Sequence, residues 1–270
     1  MHGLTLCGCG WLGSHLARRN TLTVPLLGTS RTTEKLADLP VTPIVFTLGD
    51  DPAGVATASG ANTVVLNIPP GARKKPLDPQ FVSHMQNLID AFMQAGCQQL
   101  IFISTTAVYG EQEGNIKETS KLAPVTESGK AHQQIETYLM THFADRGLII
   151  RLAGLVGPDR HPVNFLAGRQ LDKGEQVVNL VHIDDVCSGI EAALDQTLTG
   201  DTLHLCSLAH PKRGDYYTQC AQRRALAEPQ FNPDYKYKNA SGKHINAQTS
   251  WRTLGLASLQ YPSPDAMCGG

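Results

Sequence analysis

The chain has 270 residues, enough for one large domain or one domain with a smaller lobe. Its 23 Lys and Arg almost balance 24 Asp and Glu, leaving a formal net charge of -1 and no basic stripe, which argues against nucleic acid as a partner. No stretch is long and apolar enough to span a bilayer, and the N-terminus lacks the basic lead of a signal peptide.

Leu4–Cys7 reads as a first strand. It runs into Gly8-Cys9-Gly10-Trp11-Leu12-Gly13, a Gly-x-Gly-x-x-Gly turn that opens a helix. Gly8 permits the tight turn. Gly10 lets backbone approach a pyrophosphate, which the N–H groups and dipole of the helix start would hold around Trp11 and Leu12. Gly13 allows close packing of the helix. The second strand, Val24–Gly28, leads to Thr29-Ser30-Arg31-Thr32. An acid at that strand end would bind the adenosine ribose of NAD, whereas an Arg suits the 2′-phosphate of NADP. No acid stands there, so Ser30, Arg31 and Thr32 favour NADP, with NAD the less favoured cofactor. Glu34 would reverse this if the strand ended later.

Further strands are expected at Ile44–Leu48, Thr63–Ile68, Gln99–Ser104 and Leu148–Leu152. Phe81, Met85, Leu88 and Phe92 recur at helical spacing and predict a helix over Phe81–Ala95, ended by Gly96. Arg73-Lys74-Lys75 reads as a solvated loop. The strand over Gln99–Ser104 ends abruptly in hydroxyl residues, as strands do that deliver polar groups to a ligand-binding sheet edge. A surface loop over Glu111–Glu127 and a helix over Ser128–Asp145 follow, with Ile135, Tyr138, Leu139 and Phe143 inward. A helix at Asp184–Gln196, a strand at Thr202–Cys206 and a helix at Tyr216–Ala227 would build a smaller lobe. This alternation predicts an α/β fold: a Rossmann-type doubly wound parallel sheet over residues 1–155 and a small C-terminal lobe over 156–270, interwoven or not. The seven cysteines are odd in number and lack Cys-x-x-Cys spacing, so reduced thiols, a cytoplasmic setting and no metal site are expected.

Four segments together resemble the extended short-chain dehydrogenase/reductases, the NAD(P)-dependent epimerase/dehydratase group. They are the glycine turn, Ser104-Thr105-Thr106-Ala107-Val108-Tyr109-Gly110, Arg151-Leu152-Ala153-Gly154-Leu155-Val156-Gly157-Pro158 and Val181-His182-Ile183-Asp184-Asp185-Val186. The bacterial YeeZ-type branch, with its Gly-x-Gly-Trp-Leu-Gly turn, is the most similar part. The resemblance implies that Thr105 orients the substrate oxygen and that Lys130 holds the nicotinamide ribose. It also implies a tyrosine four residues before that lysine, on the same helix face, whose pKa of about 10 is lowered for proton transfer. Here that place is Thr126, which cannot serve as a tuned acid or base. Tyr109 and His182 are the candidate replacements. Thr106 and Ala107 stand where the dehydratases carry Asp-Glu, which argues against sugar dehydration. His161 lies on a loop that covers substrate in relatives, where Arg160 and Arg169 could hold an anion.

The expected function is an NADP-dependent oxidoreductase or epimerase-like activity on a small carbonyl or alcohol, with nucleotide-linked compounds as the candidate class. A non-catalytic NADP(H)-binding sensor is the alternative. Monomer and homodimer both remain open.

Overall fold

The computed structural model describes residues 3–71, 76–232 and 242–268. The basic patch at 73–75 lies outside them. By contact the chain divides into two units. The first comprises Met1–Gly110, Leu122–Arg151 and Ile190–Leu203; the second comprises Glu111–Lys121, Leu152–Gly189 and His204–Gly270. A single cut near residue 155 therefore does not reproduce this division, because segments cross over in both directions.

The first unit is built on β1 (Leu4–Cys7), β2 (Leu26–Ser30), β3 (Thr42–Val45), β4 (Thr63–Leu66) and β5 (Leu100–Thr105). With strands Gly147–Leu152 and Asp201–Leu205 they form one seven-stranded sheet. From one edge the order is Asp201–Leu205, Gly147–Leu152, β5, β4, β1, β2, β3. The pairs β1–β2, β1–β4, β2–β3 and β4–β5 are parallel. β1, β4 and the Gly147–Leu152 strand are buried along their whole length, as expected of strands covered on both faces. The edge strand β3 is mostly exposed, with Val45 59% accessible.

Helices α1 (Trp11–Arg19), α2 (Ala53–Ser59), α3 (Phe81–Gln94) and α4 (Glu127–His142) belong to this unit. The α3 stripe packs as its spacing predicts: Phe81, Met85, Leu88 and Phe92 meet Leu66, Phe102 and Ile149 in one core. β2 lies two residues later than expected, and β3 starts and ends earlier. The expected loop over Glu111–Glu127 contains a short strand, Gly114–Ile116, and α4 begins at its last residue.

The second unit has short parallel pairs: Gly154–Val156 with Leu180–His182, Gln170–Leu171 with Gln230–Phe231, and Gly114–Ile116 with Lys243–Ile245. Val156, Val163, Leu180, Tyr216 and Met267 are buried in its core. Cys220 and Cys268 form a disulfide, Cα–Cα 4.7 Å, so the expectation of seven reduced thiols fails for these two. Nothing in their sequence spacing signals the pairing; the fold brings helix Arg213–Arg223 beside the last described residue. The other five cysteines are free and buried. Among the described residues no helix is long and apolar enough to cross a membrane.

Candidate functional site

Because β1, β2, β4 and β5 run parallel, their carboxyl ends share one sheet edge. The glycine turn follows β1, Ser30 ends β2, and Thr105 ends β5. Gly8 has φ +86°, and an added Cβ would collide with the Asn67 carbonyl beyond β4. Only glycine suits both conditions. Gly10 caps α1 without a side-chain hydrogen bond and is exposed. An added Cβ there meets nothing nearer than the Gly8 oxygen at 4.0 Å, so the space over the helix start is open. α1 has no acid in its first turn, which leaves the positive end of its dipole uncompensated. Trp11 is half-buried against His15, and Leu12 and Gly13 are buried. Gly13 packs against Cys9, whose Sγ would lie 3.2 Å from an added Cβ. A pyrophosphate fits this cradle: open space over Gly10, a helix start and no acid in its first turn.

A residue that sequence reasoning passed over holds the turn in place. Thr29, 1% exposed, accepts the Gly8 N–H on its hydroxyl (2.9 Å) and the Cys9 N–H on its carbonyl (2.8 Å). Burial pushes the Cys7 thiol up to about 12 and the Cys9 thiol to about 11, so both stay protonated at neutral pH. Among the described residues no cluster of metal-ligating side chains occurs.

At the end of β2, Arg31 and Thr32 are exposed and Ser30 is half-buried. β2 does end later than expected, at Ser30, yet the next residue is Arg31 and no acid stands at that end. Glu34 lies four residues on, exposed; its own amide and the Thr32 hydroxyl hold its carboxyl below the usual range.

Thr105 is half-buried, and its hydroxyl oxygen accepts the Ala107 N–H at 3.1 Å, capping a 3-10 turn over Thr106–Tyr109. Its O–H proton stays available for donation. Tyr109 is fully buried; the Arg151 guanidinium donates to its hydroxyl at 2.5 Å and lies over its ring at 5.1 Å. Arg151 also clamps Glu136, with Nη2–Oε2 at 2.7 Å and Nε–Oε1 at 3.1 Å, and Ser104 donates to Glu136 at 2.5 Å. Arg151 is 5% and Glu136 2% exposed, so this is a desolvated network running from β5 through α4 to the neighbouring strand. The signal for it was present in the sequence: Glu136 sits in the apolar stripe of Ile135 and Leu139.

The structure gives the Thr126 and Lys130 side chains different settings. Thr126 is the N-cap of α4, with extended backbone (φ -94°, ψ 150°), and its hydroxyl accepts the Gly129 N–H at 3.0 Å. As the N-cap, Thr126 is half in the helix: its carbonyl accepts the Lys130 N–H at 3.0 Å, while its side chain is engaged at the helix start. Lys130 is exposed, whereas Gly129, His132, Ile135 and Glu136 are buried. Thr126→Ala should cost about 1 kcal/mol in urea unfolding, the usual worth of such a cap. Thr126→Tyr, which completes the sequence pattern, should cost a similar amount; a gain in stability would show that the cap is idle.

In the second unit His182 is 7% exposed and stacks on Tyr261 with centroids 3.6 Å apart. Its Nδ1 lies 3.3 Å from Asp184 Oδ2 and accepts the Asp184 N–H. His161, expected on a covering loop, is instead 1% exposed. Its Nδ1 accepts the Val163 N–H, and its Nε2 faces the Tyr216 hydroxyl at 2.8 Å. Both nitrogens are used in packing, so it is a core residue. Arg160 is half-buried and Arg169 exposed.

Known proteins show the same architecture. Residues 8–206 match the pattern described as the NAD dependent epimerase/dehydratase family. Protein YeeZ of Escherichia coli K12 is 33% identical over 278 residues, covering 99% of both chains. The UDP-glucuronic acid 4-epimerase of Bacillus cereus, solved with NAD, superposes with a TM-score of 0.78 at 17% identity, over 99% of this chain and 97% of that one. DesIV, the dTDP-glucose 4,6-dehydratase of Streptomyces venezuelae, solved with NAD and TYD, gives 0.76 at 19% identity, over 99% and 96%. At those identities the two structures speak for the fold. The family match and the full-length relative carry the assignment: this chain belongs to the NAD dependent epimerase/dehydratase family.

Proposed function

We propose that the chain is an NADP-dependent oxidoreductase or epimerase-like enzyme acting on a nucleotide-linked alcohol or carbonyl. The observation that carries this is the glycine turn of Gly8, Gly10 and Gly13, open at Gly10, together with a strand end that offers Ser30, Arg31 and Thr32 and no acid. Trp11 and Leu12 at the start of α1 would lie along the pyrophosphate, and Arg31 would pair with the 2′-phosphate. When bound, the dinucleotide supplies the acceptor or donor of hydride. Thr105, at the β5 end, has a hydroxyl proton to offer a substrate oxygen. The substrate class is taken from the structurally similar UDP-glucuronic acid 4-epimerase and dTDP-glucose 4,6-dehydratase. The resemblance assigns Lys130 to the nicotinamide ribose; from its exposed position it would have to reach inward.

A second reading, a non-catalytic NADP(H) sensor, is favoured by one observation: the tyrosine's place is used for helix capping. Calorimetry tests what the two readings share. NADP+ should bind about ten- to a hundredfold more tightly than NAD+, the worth of one charge-assisted contact. Arg31→Ala should abolish that preference while leaving NAD+ affinity intact. Equal affinities in the parent chain would end the NADP assignment. Deuteride transfer from labelled NADPH to a panel of nucleotide sugars then separates enzyme from sensor.

A further inference from the structure

The inward face of α4 carries a group that the sequence pattern leaves out. α4 meets the end of β5 and the turn that follows it at two points. At Gly129 an added Cβ would stand 3.0 Å from the Ala107 carbonyl oxygen. At Glu136 the carboxylate accepts from Ser104. Thr105 lies between Ser104 and Ala107 in the chain. The polar side chain buried on α4 between these two points is His132, 8% exposed, its ring stacked on Phe102 of β5 with centroids 5.7 Å apart.

The ring has a fixed tautomer. Nδ1 lies 2.8 Å from the Ser128 carbonyl oxygen. A carbonyl only accepts, so Nδ1 carries the proton and Nε2 turns its lone pair outward from that bond. Among the described residues no hydrogen bond to Nε2 occurs, and the residue as a whole is 8% exposed. A histidine held by one nitrogen, with the other left open, is arranged to exchange a proton with something not part of the chain.

We propose that His132 Nε2 is the proton acceptor and donor at the β5 strand end, in the role the resemblance gives to a tyrosine, and that α4 turns His132 rather than Lys130 towards the reacting groups. This rests on the dinucleotide reading above. In the oxidising direction the substrate C–H bond breaks and its electron pair leaves with the hydrogen as hydride to the bound nicotinamide. The substrate O–H bond breaks, its proton passes to Nε2, and the oxygen's electron pair forms the C=O bond. Reduction runs the same transfers backwards. Thr105 positions the oxygen and His132 holds the proton.

The surroundings suit a base. Burial lowers the His132 pKa from the ordinary histidine value, while the Ser128 carbonyl and the Glu136 charge raise it in part, so the ring is neutral at pH 7 and Glu136 eases the charge that arrives with the proton. Of the other elements packed here, β5 presents Phe102 and Ser104. The neighbouring strand presents Arg151, held by Glu136 and Tyr109, and α3 contributes apolar Met85, Leu88, Ile89 and Phe92 to the common core.

Two-bond proton–nitrogen spectra of the full chain labelled with 15N-histidine test this, with the His132 signals identified by their loss in His132→Gln and, independently, through the assigned backbone. His132 should show the Nδ1–H tautomer, titrate below about 6.5, and shift at Nε2 when NADP+ is added. NADP+ that binds by calorimetry but leaves Nε2 unmoved overturns the proposal and spares the dinucleotide reading, as does a proton found on Nε2. No NADP+ binding at all overturns both. In the deuteride-transfer panel, His132→Gln should lower turnover by roughly 10²–10⁴-fold with NADP+ affinity kept; unchanged turnover overturns the proposal.

Discussion

Glu136→Ala is expected to destabilise the chain by about 3–5 kcal/mol, because it strands a buried guanidinium. Arg151, 5% exposed, makes its ion pair with Glu136 and also donates to the Tyr109 hydroxyl. Ser104 loses its acceptor in the same step. The double change Glu136→Leu with Arg151→Met removes both charges and should recover most of the loss, since a buried ion pair is often no better than apolar side chains of similar volume. Urea unfolding of the three chains measures both effects. A loss under about 1 kcal/mol for the single change, or a double variant as unstable as the single, would show that the pair is more hydrated than its burial indicates.

The second large effect is acid lability centred on His161. Burial, and after it the Arg224 charge, pushes this imidazole from 6.5 down to about 4. The folded pKa is depressed, so protons bind more tightly to the unfolded chain. The stabilisation is complete above about pH 6.5 and is lost as pH falls towards about 4. That shift corresponds to about 3 kcal/mol over the window. Urea midpoints at pH 7 and pH 4.5 should differ accordingly, and His161→Gln should flatten the difference. An equal slope in the variant would assign the lability elsewhere, for which His132 and His210, also lowered by burial, are the candidates.

The parts of the fold legible in the sequence are those where two local signals agree. β1 is an apolar run closed by a glycine turn, and α3 is a periodic stripe closed by Gly96; both appear within a residue of where the pattern puts them. β2 was displaced because its last residues are polar. Thr29 and Ser30 look like a loop, yet Thr29 is buried because its hydroxyl serves the glycine turn. That service comes from 21 residues away in the chain, beyond any local pattern. The glycine turn was legible because backbone geometry forces glycine there: Gly8 has a positive φ and no room for a Cβ. At the other end a spacing was read without its frame. Thr126 and Lys130 are four apart, but the helix begins between them, so the inward residues are His132 and Glu136 instead. The short parallel pairs of the second unit join segments far apart in sequence and leave no periodic trace.

The open flank of the sheet has its own consequence. β3 ends the strand order: among the described residues no further strand pairs with its outer row of backbone groups, and Val45 is exposed on it. Such a row is a template on which another chain can add a strand. Pro43 sits within β3, opposite Gly28, and has no N–H to offer. A four-residue strand interrupted by a proline is a poor template, which guards the molecule against edge-to-edge association during concentration or refolding. Engineering that lengthens this strand or removes Pro43 would remove the guard, and sedimentation would register it as polymerisation before any change in the site.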